Sequence, residues 1–389
     1  MRPELLEKTY KLKKELELIK LHLDSEISED DVIKHWIDYF PREINCKACA
    51  SDGSFNRKVY LGFYLYSVAG YGLCFDNNVM VSESFVGDIG ISLIKNQEFA
   101  ESYFRLLMFL VEMKSLLKVS AKEKPDVILL DGTLSGRFIL PPPKTKWFVD
   151  KDFGGELAKL SGELIPYIEK YLFDYDITSQ STKLKELLFS KLIEKFGQET
   201  ASKRDVFEAA LAKLAYFEYF LLLHHLFYKL DWNPIIMGIA KTSKGTELFN
   251  SSIPDIMVFY KFIQNPGFSK ERYVDMESKS KTKEWEFSEV FEKKETKKAV
   301  ELKDVQIKYF YSKYSSYSVI SLIEIYENPN RETIRQQYIN DILFSLSAGG
   351  YPFILKKADA DVRIKNKDME LIESILGLTL EKRGREVVE

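Results

Sequence analysis

Histidine and cysteine are scarce in this chain, with four His and three Cys among 389 residues. Three cysteines are too few for a disulfide framework at this length, which points to a reducing compartment. Cys46-Lys47-Ala48-Cys49 has the spacing of half a zinc site, but no second Cys or His pair stands at a matching distance. His22, His35, His224 and His225 fit packed or surface roles better than ligation. No run of 18 apolar residues occurs, so no transmembrane helix is expected. Met1-Arg2-Pro3-Glu4 opens a charged amphipathic stretch and not a signal peptide, which makes the cytoplasm the expected location. No Gly-x-x-x-x-Gly-Lys-Ser/Thr loop is found, so the chain is not itself a P-loop motor. A net charge of -3 excludes polyanion binding through bulk charge but leaves room for a local basic groove.

What is present is core material. Hydrophobic residues make up 45% of the chain, with 27 Phe and 22 Tyr, enough to bury a sizeable interior. Leucine and isoleucine recur at helical spacing from Glu4 to Leu23, an amphipathic arm that needs a partner surface. Asp30-Asp31 offers an N-cap for a second helix through Trp36 and Tyr39, ended by Pro41. Two antiparallel strands are expected from Val59 to Val81, joined near Gly70 and Gly72, with a third segment around Ser82 to Leu93. A helix from about Gln97 to Val119 leads to the buried-strand run at Val127, so a right-handed parallel crossover is expected. Pro141-Pro142-Pro143 then breaks regular structure.

Helical patterns resume at about Gly155 to Phe173, Lys183 to Phe196 and Lys203 to Leu230, and read as an insertion. Pro234 to Ala240 returns to the sheet. Residues from Ser269 to Asp304 are dominated by Lys, Glu and Ser and read as a hairpin or loop. Strand signals follow at Val305 to Tyr314 and Tyr317 to Tyr326, and a helix from Arg331 to Ser347 closes at Gly349-Gly350. The expected architecture is one α/β domain over residues 1–389. It divides into N-terminal helices at 1–42, the first part of a core at 43–150, a helical insertion at 151–232, and the rest of the core with C-terminal helices at 233–389.

Two acidic Gly-containing segments carry the chemistry, Ser51-Asp52-Gly53-Ser54 and Leu130-Asp131-Gly132-Thr133. Each reads as a turn at the end of an apolar strand, and Asp-Gly is also an ordinary turn dipeptide. Between them Glu112 sits among Leu106, Leu107, Phe109, Leu110, Val111, Met113, Leu116 and Leu117, where an ionised carboxylate needs a partner. A metal would satisfy it, and so would Lys or Arg on a neighbouring element. Three carboxylates without Cys or His suit Mg²⁺ or Mn²⁺ and not zinc. Two such ions about 4 Å apart would serve phosphodiester hydrolysis. Lys241, after its strand, is a candidate phosphate contact. Phe138, Trp147 and Phe148 lie near Arg137, Lys144 and Lys146 and form a candidate wall for stacked bases.

With Asp52 on a first strand, Glu112 on the following helix and Asp131 on a fourth strand, the order resembles the ribonuclease H arrangement. The chain also resembles the NurA nucleases, the archaeal DNA-end-processing enzymes that work with the HerA helicase-translocase. The likeness rests on Asp52-Gly53-Ser54, Glu112, Leu129-Leu130-Asp131-Gly132-Thr133-Leu134, Gly238-Ile239-Ala240-Lys241-Thr242-Ser243 and Gly349-Gly350-Tyr351-Pro352, in family order across nearly the whole chain.

That resemblance implies a ribonuclease H-like mixed sheet flanked by helices, with Asp52, Glu112 and Asp131 as catalytic metal-binding carboxylates and manganese as the preferred ion. It further implies a 5'–3' exonuclease and single-strand endonuclease that processes DNA ends for recombinational repair. The family forms homodimers fed by a hexameric HerA ATPase. The family's Gly-Tyr-Pro-Tyr-Pro-Leu and following Ala-His read here as Gly350-Tyr351-Pro352-Phe353-Ile354-Leu355 and Ala358-Asp359. Asp359 thus stands in the place of the histidine, a candidate fourth metal ligand, and Tyr351 and Phe353 are candidate DNA contacts. Two other readings remain: a weakened nuclease serving as a loading subunit for the translocase, and an actin-like ATPase or sugar kinase. The kinase class needs more glycine near its phosphates than Asp131-Gly132-Thr133-Leu134 supplies.

Overall fold

A computed structural model of the chain describes residues 5–6, 8–10, 12–13, 27–93, 96–143, 151–276 and 305–378. Most of the expected N-terminal arm, Trp147 with its neighbours Lys144, Lys146 and Phe148, and residues 277–304 of the Lys-rich 269–304 segment lie outside those residues. Among the described residues no helix is long and apolar enough to cross a membrane.

The helix expected through Trp36 and Tyr39 is shorter than its pattern suggests. Ser28, not Asp30, caps α1 (Glu29–Ile33), accepting a hydrogen bond from the Asp31 amide at 3.2 Å. Trp36 to Asp38 then form strand β1, paired with Gly267 to Ser269. A one-turn helix has too few internal bonds to hold Trp36, which gains a ladder partner and packs on Phe259 at 5.2 Å.

The sheet begins with β2 (Lys47–Val59) and β3 (Tyr64–Asp76), antiparallel in unbroken register from Lys47 opposite Asp76 to Val59 opposite Tyr64. Two expectations change here. Asp52-Gly53 lies inside a strand and not in a turn, and the chain reverses at Tyr60 to Phe63, where the Tyr60 amide donates to the Phe63 carbonyl at 2.9 Å. Gly70 and Gly72 do not join two strands. The next reversal is at Asn77-Asn78, both with positive φ of 48° and 65°, as a two-residue hairpin turn requires. That turn leads into β4 (Val79–Ser92).

The glycines serve close approach. Helix α2 (Gln97–Glu123), capped by Asn96, crosses directly over Gly53, Gly70 and Gly72. A Cβ at Gly70 would fall 2.2 Å from the Val111 carbonyl oxygen, and one at Gly72 would fall 2.5 Å from that of Ser115. Gly53 pairs directly opposite Gly70, and its own Cβ would meet Glu112 Cβ at 3.2 Å. Backbone therefore rests on backbone at the point where Glu112 leaves the helix.

From α2 the chain enters β5 (Val127–Asp131), parallel to β2, and the expected crossover is present. A short helix α3 (Leu134–Phe138) follows. Next come α4 (Lys151–Lys170), α5 (Thr182–Ala201) and α6 (Arg204–His224), and α6 is buried nearly all round against α2. Lys114 of α2 and Glu218 of α6 form a wholly buried ion pair at 2.6 Å. Glu218 also accepts the Thr178 and Ser179 amides at 2.8 and 2.7 Å, so this buried charge is fully partnered. The sheet resumes with β6 (Ile235–Ala240), parallel to β5.

Helix α7 (Asp255–Phe262) leads to β7 (Gly267–Ser269) and β8 (Arg272–Tyr273). Strands β9 (Ile307–Lys313) and β10 (Ser321–Tyr326) complete the sheet. After α8 (Gln336–Ser345), the small pair β11 (Ser347–Ala348) and β12 (Tyr351–Pro352) turns at Gly349-Gly350, both with positive φ, into α9 (Phe353–Val362) and α10 (Asn366–Ile375).

The strand order is β1-β7-β9-β10-β6-β5-β2-β3-β4, with β8 on β9. The central strands β2, β5 and β6 are parallel and their outer neighbours antiparallel, a mixed sheet with helices on both faces. One face, including Cys49, Val68, Ile128 and Leu130, packs on α2 and the helical block. The other, including Ala50, Leu129, Met237 and Ile239, packs on α8 and α9. Cys46 and Cys49 point to these opposite faces and cannot grip one ion together.

Candidate metal centre

The parallel pairing of β2 with β5 ends at Ser51 opposite Leu130, which sets Asp52 and Asp131 side by side on adjacent strands. Beyond Asp131 the strand β5 stops while β2 runs on, so a gap opens beside Gly53. Glu112, on the stretch of α2 that rests on Gly53 and Gly70, lies near enough for its charge to act on Asp52.

The turn after Asp131 is held tightly. Gly132 has φ of 85°, and its amide donates to the Ile239 carbonyl at 2.9 Å. Gly238 makes room for it, since a Cβ there would fall 2.6 Å from the Gly132 carbonyl oxygen. Thr133 caps α3, and Ser135 donates from its amide and its hydroxyl to Glu324 of β10 at 2.7 and 2.8 Å. Glu324 is buried, and sequence reading overlooked it. An acid inside the apolar run Leu322-Ile323-Glu324-Ile325 was the available signal, because such a group must have partners.

The anchored helix α3 delivers Arg137, which turns inward. Its guanidinium donates to both oxygens of Glu112 at 2.8 and 2.6 Å and to the Asp131 carbonyl at 3.2 Å, with the Phe109 ring 4.8 Å away. Burial alone would favour the neutral form, but the attraction of Glu112 outweighs it and keeps Arg137 charged. The expected place of Arg137 in a DNA-contacting wall is thereby corrected: it is the cation that Glu112 required. Phe138 is likewise buried, 4.7 Å from the Phe227 ring. Trp147 lies outside the described residues.

Asp52 accepts the Gly53 amide at 2.8 Å. Burial first, and then the charges of Glu112, Asp131 and Asp359, push its carboxyl up from 3.8 to about 7. Asp131 accepts the Tyr351 hydroxyl at 2.9 Å, and burial with that neighbouring carboxylate raises the phenol well above its ordinary value. Lys241, at the end of β6, stands over the Tyr351 ring at 3.8 Å and is exposed. Two of the expected DNA contacts therefore face inward. Tyr351 is buried against Asp131, and Phe353 packs edge-on to Phe75 at 5.0 Å. Asp359 lies on α9 near enough to act on Asp52, with its own oxygens paired to Arg363 at 3.2 and 2.5 Å.

The donor chemistry suits a hard divalent cation: the aspartates stand together at one strand end, with Asp52 raised by burial and then by the negative charge around it. Among the described residues no three His, Cys, Asp or Glu side chains converge closely enough to hold an ion as they stand. Arg137 occupies both oxygens of Glu112, and Glu112 must share or exchange that partner to join Asp52 and Asp131 on a cation.

Comparison with known proteins agrees with this architecture. Residues 46–364 match the family model of the NurA domain. The chain is similar to the DNA double-strand break repair nuclease NurA of Saccharolobus solfataricus, 26% identical over 385 residues that cover 97% of this chain and 95% of the relative. Its fold is similar to the crystal structure of the NurA nuclease from Sulfolobus solfataricus, with a TM-score of 0.66, 24% identity and 98% of each chain covered. It is also similar to a crystal structure of NurA bound to dAMP and manganese, with a TM-score of 0.61, 18% identity, and 100% of this chain and 99% of that one covered.

Proposed function

The chain belongs to the NurA family, and from that premise we propose that it is a divalent-metal-dependent DNA nuclease, a phosphodiester hydrolase of DNA repair. The observation that carries the reading is the adjacency of Asp52 and Asp131 on parallel strands, with Glu112 of α2 close enough for its charge to act on Asp52. Asp52, Glu112 and Asp131 would hold Mn²⁺, or Mg²⁺ in its place, as two ions, with Asp359 the candidate further ligand. Manganese is bound in one of the structurally similar NurA proteins. When bound, the ions supply an activated water and stabilise charge on the phosphoryl and leaving oxygens.

The chain's own groups set that chemistry up. Asp131 is oriented by the Tyr351 hydroxyl and by the pinned Gly132 turn. Lys241 offers an exposed ammonium beside Tyr351 for a substrate phosphate. Arg137 holds the Glu112 carboxylate in position through both of its oxygens.

The family resemblance supports the finer reading: 5'–3' exonuclease and single-strand endonuclease action on DNA ends during recombinational repair, by a homodimer in the cytoplasm. The absence of a P-loop from the sequence fits a motor supplied by a HerA-type hexameric ATPase. The test is shortening of single-stranded DNA by the purified chain with Mn²⁺. Asp52→Asn and Asp131→Asn are expected to lower the rate by at least about a hundredfold while the fold melts as before. An unchanged rate in either variant rejects the assignment.

One observation favours a second reading. Asp359 stands where the family resemblance puts a histidine, and it is engaged by Arg363. A wild-type chain that binds DNA and stimulates a HerA-type ATPase without cutting would make it a loading subunit.

A further inference from the structure

Tyr317 is 90% exposed, more than any other large apolar side chain among the described residues. It lies between β9 and β10, and the rows of the sheet locate it. Asp131 pairs with Ile239, Ile239 with Ile323 and Ala240 with Leu322, so the β9–β10 connection extends past the same end of the sheet as Asp131 and Lys241.

The connection is firmly built. The Ser318 amide and hydroxyl both donate to the Ser315 carbonyl, at 3.1 and 3.0 Å, and the Ser315 amide donates to the Ser318 hydroxyl at 3.0 Å. Tyr314, Ser318 and Ile320 around the turn are buried. Gly350, with φ of 79°, rests against it, and a Cβ there would fall 2.5 Å from the Tyr317 carbonyl oxygen. The Tyr314 hydroxyl donates to the Gly350 carbonyl at 3.2 Å. The next residue is Tyr351, whose hydroxyl reaches Asp131 at 2.9 Å. The turn that carries Tyr317 is therefore fixed to the candidate metal centre through Gly350 and Tyr351.

Two ammonium groups flank this path. Lys241 stands over the Tyr351 ring, and Lys356 donates to the Ala348 and Gly349 carbonyls at 2.6 and 3.3 Å. Both are exposed. An ammonium has three hydrogens, so Lys356 keeps one for a phosphate. An aromatic ring held in water on a rigid turn beside cations matches what binds single-stranded nucleic acid, a π-face for a base and charge for its backbone. We propose that Tyr317 stacks on an unpaired base of the DNA strand, within a few nucleotides of the phosphate held at Asp52 and Asp131. A base inside a duplex shows only its edges, so the platform favours single strand over duplex. The inference rests on the nuclease reading for its substrate and deepens it by tying the preference for unpaired DNA to one residue.

Binding in EDTA tests the stacking apart from cleavage, with single-stranded and duplex oligonucleotides of the same sequence. Tyr317→Ala is expected to raise the dissociation constant for single strand at least about fivefold and to leave duplex affinity and the melting temperature unchanged. Tyr317→Trp should keep the affinity, and Tyr317→Leu should lose it, because leucine has apolar area but no π-face. One abasic replacement, moved along the oligonucleotide, should weaken the wild type at a single position and leave Tyr317→Ala indifferent there. With Mn²⁺ the same loss should appear in KM and not in kcat. A wild type that binds single strand through Tyr317 but does not cut rejects the nuclease reading and keeps this one. A wild type that cuts, with KM unchanged in Tyr317→Ala, overturns the stacking and keeps the nuclease reading. An alanine variant that loses single strand and duplex alike, or an abasic effect equal in both proteins, overturns the stacking as well.

Discussion

Replacing Arg137 with methionine keeps most of the side-chain volume and removes the cation bound to Glu112. The Glu112 side chain is only 2% exposed, so its charge in Arg137→Met stays buried without the two hydrogen bonds at 2.8 and 2.6 Å. The bond to the Asp131 carbonyl and the contact with the Phe109 ring go as well. Breaking a buried ion pair from one side costs about 3–5 kcal/mol, most of it the desolvation of the group left behind. The double change Glu112→Gln with Arg137→Met leaves no orphaned charge and should cost about 1–2 kcal/mol less than the single one. Mn²⁺ adds a second arm. In the wild type a cation competes with Arg137 for Glu112, whereas in Arg137→Met it meets a free carboxylate, so the stabilisation by Mn²⁺ should be larger in the variant. Free Mn²⁺ at about a hundred times its dissociation constant contributes about 2.7 kcal/mol. Urea unfolding at pH 7.5, with EDTA or with Mn²⁺, reads all of these quantities. A loss below about 1 kcal/mol in EDTA, or a double variant no more stable than the single one, refutes the reasoning.

Three further outcomes follow from the same geometry. The Asp52 carboxyl, raised from 3.8 to about 7, holds its proton more tightly when folded than when unfolded. Metal-free stability should therefore fall as pH rises from about 4 to about 7, by on the order of 2–4 kcal/mol, and level off above; Mn²⁺ should flatten the decline, and a melting temperature that climbs across that window in EDTA contradicts it. Gly70→Ala puts a methyl 2.2 Å from the Val111 carbonyl oxygen, so α2 must lift; a loss of about 3 kcal/mol or more is expected in chemical denaturation, against under about 1 kcal/mol for Gly62→Ala, where no atom lies within 4 Å. Tyr351→Phe removes the hydroxyl bonded to Asp131 and should cost about 1–3 kcal/mol and weaken Mn²⁺ binding measured by calorimetry; unchanged affinity would mean that Asp131 needs no orienting donor.

The order of elements was legible because buried strands such as Val127–Leu130 and long helices such as Gln97–Glu123 announce themselves by periodicity. Register and close approach were less so. Asp52-Gly53 carries turn chemistry, yet it lies within a strand, because long-range pairing with Tyr71 and Gly70 overrides a local preference. Gly70 and Gly72 read as punctuation because a missing side chain looks the same whether it serves a turn or a helix laid on top. The carboxylates could be proposed from type and order alone. The partner of Glu112 could not be chosen, since only the fold decides that Arg137, 25 positions away, turns inward while Lys241 stays out.

The contact of α2 with Gly53, Gly70 and Gly72 has a consequence for how the protein can change. The height of that helix above the sheet is set by main chain on main chain and not by interlocking side chains. Leu107, Leu110 and their neighbours in the surrounding core can vary in size and be absorbed by rotamer shifts without moving the helix axis. Glu112 is thus mechanically decoupled from drift in the core. The position of the acid depends on the bare Cα hydrogens of Gly70 and Gly72, where anything larger would strike the helix main chain.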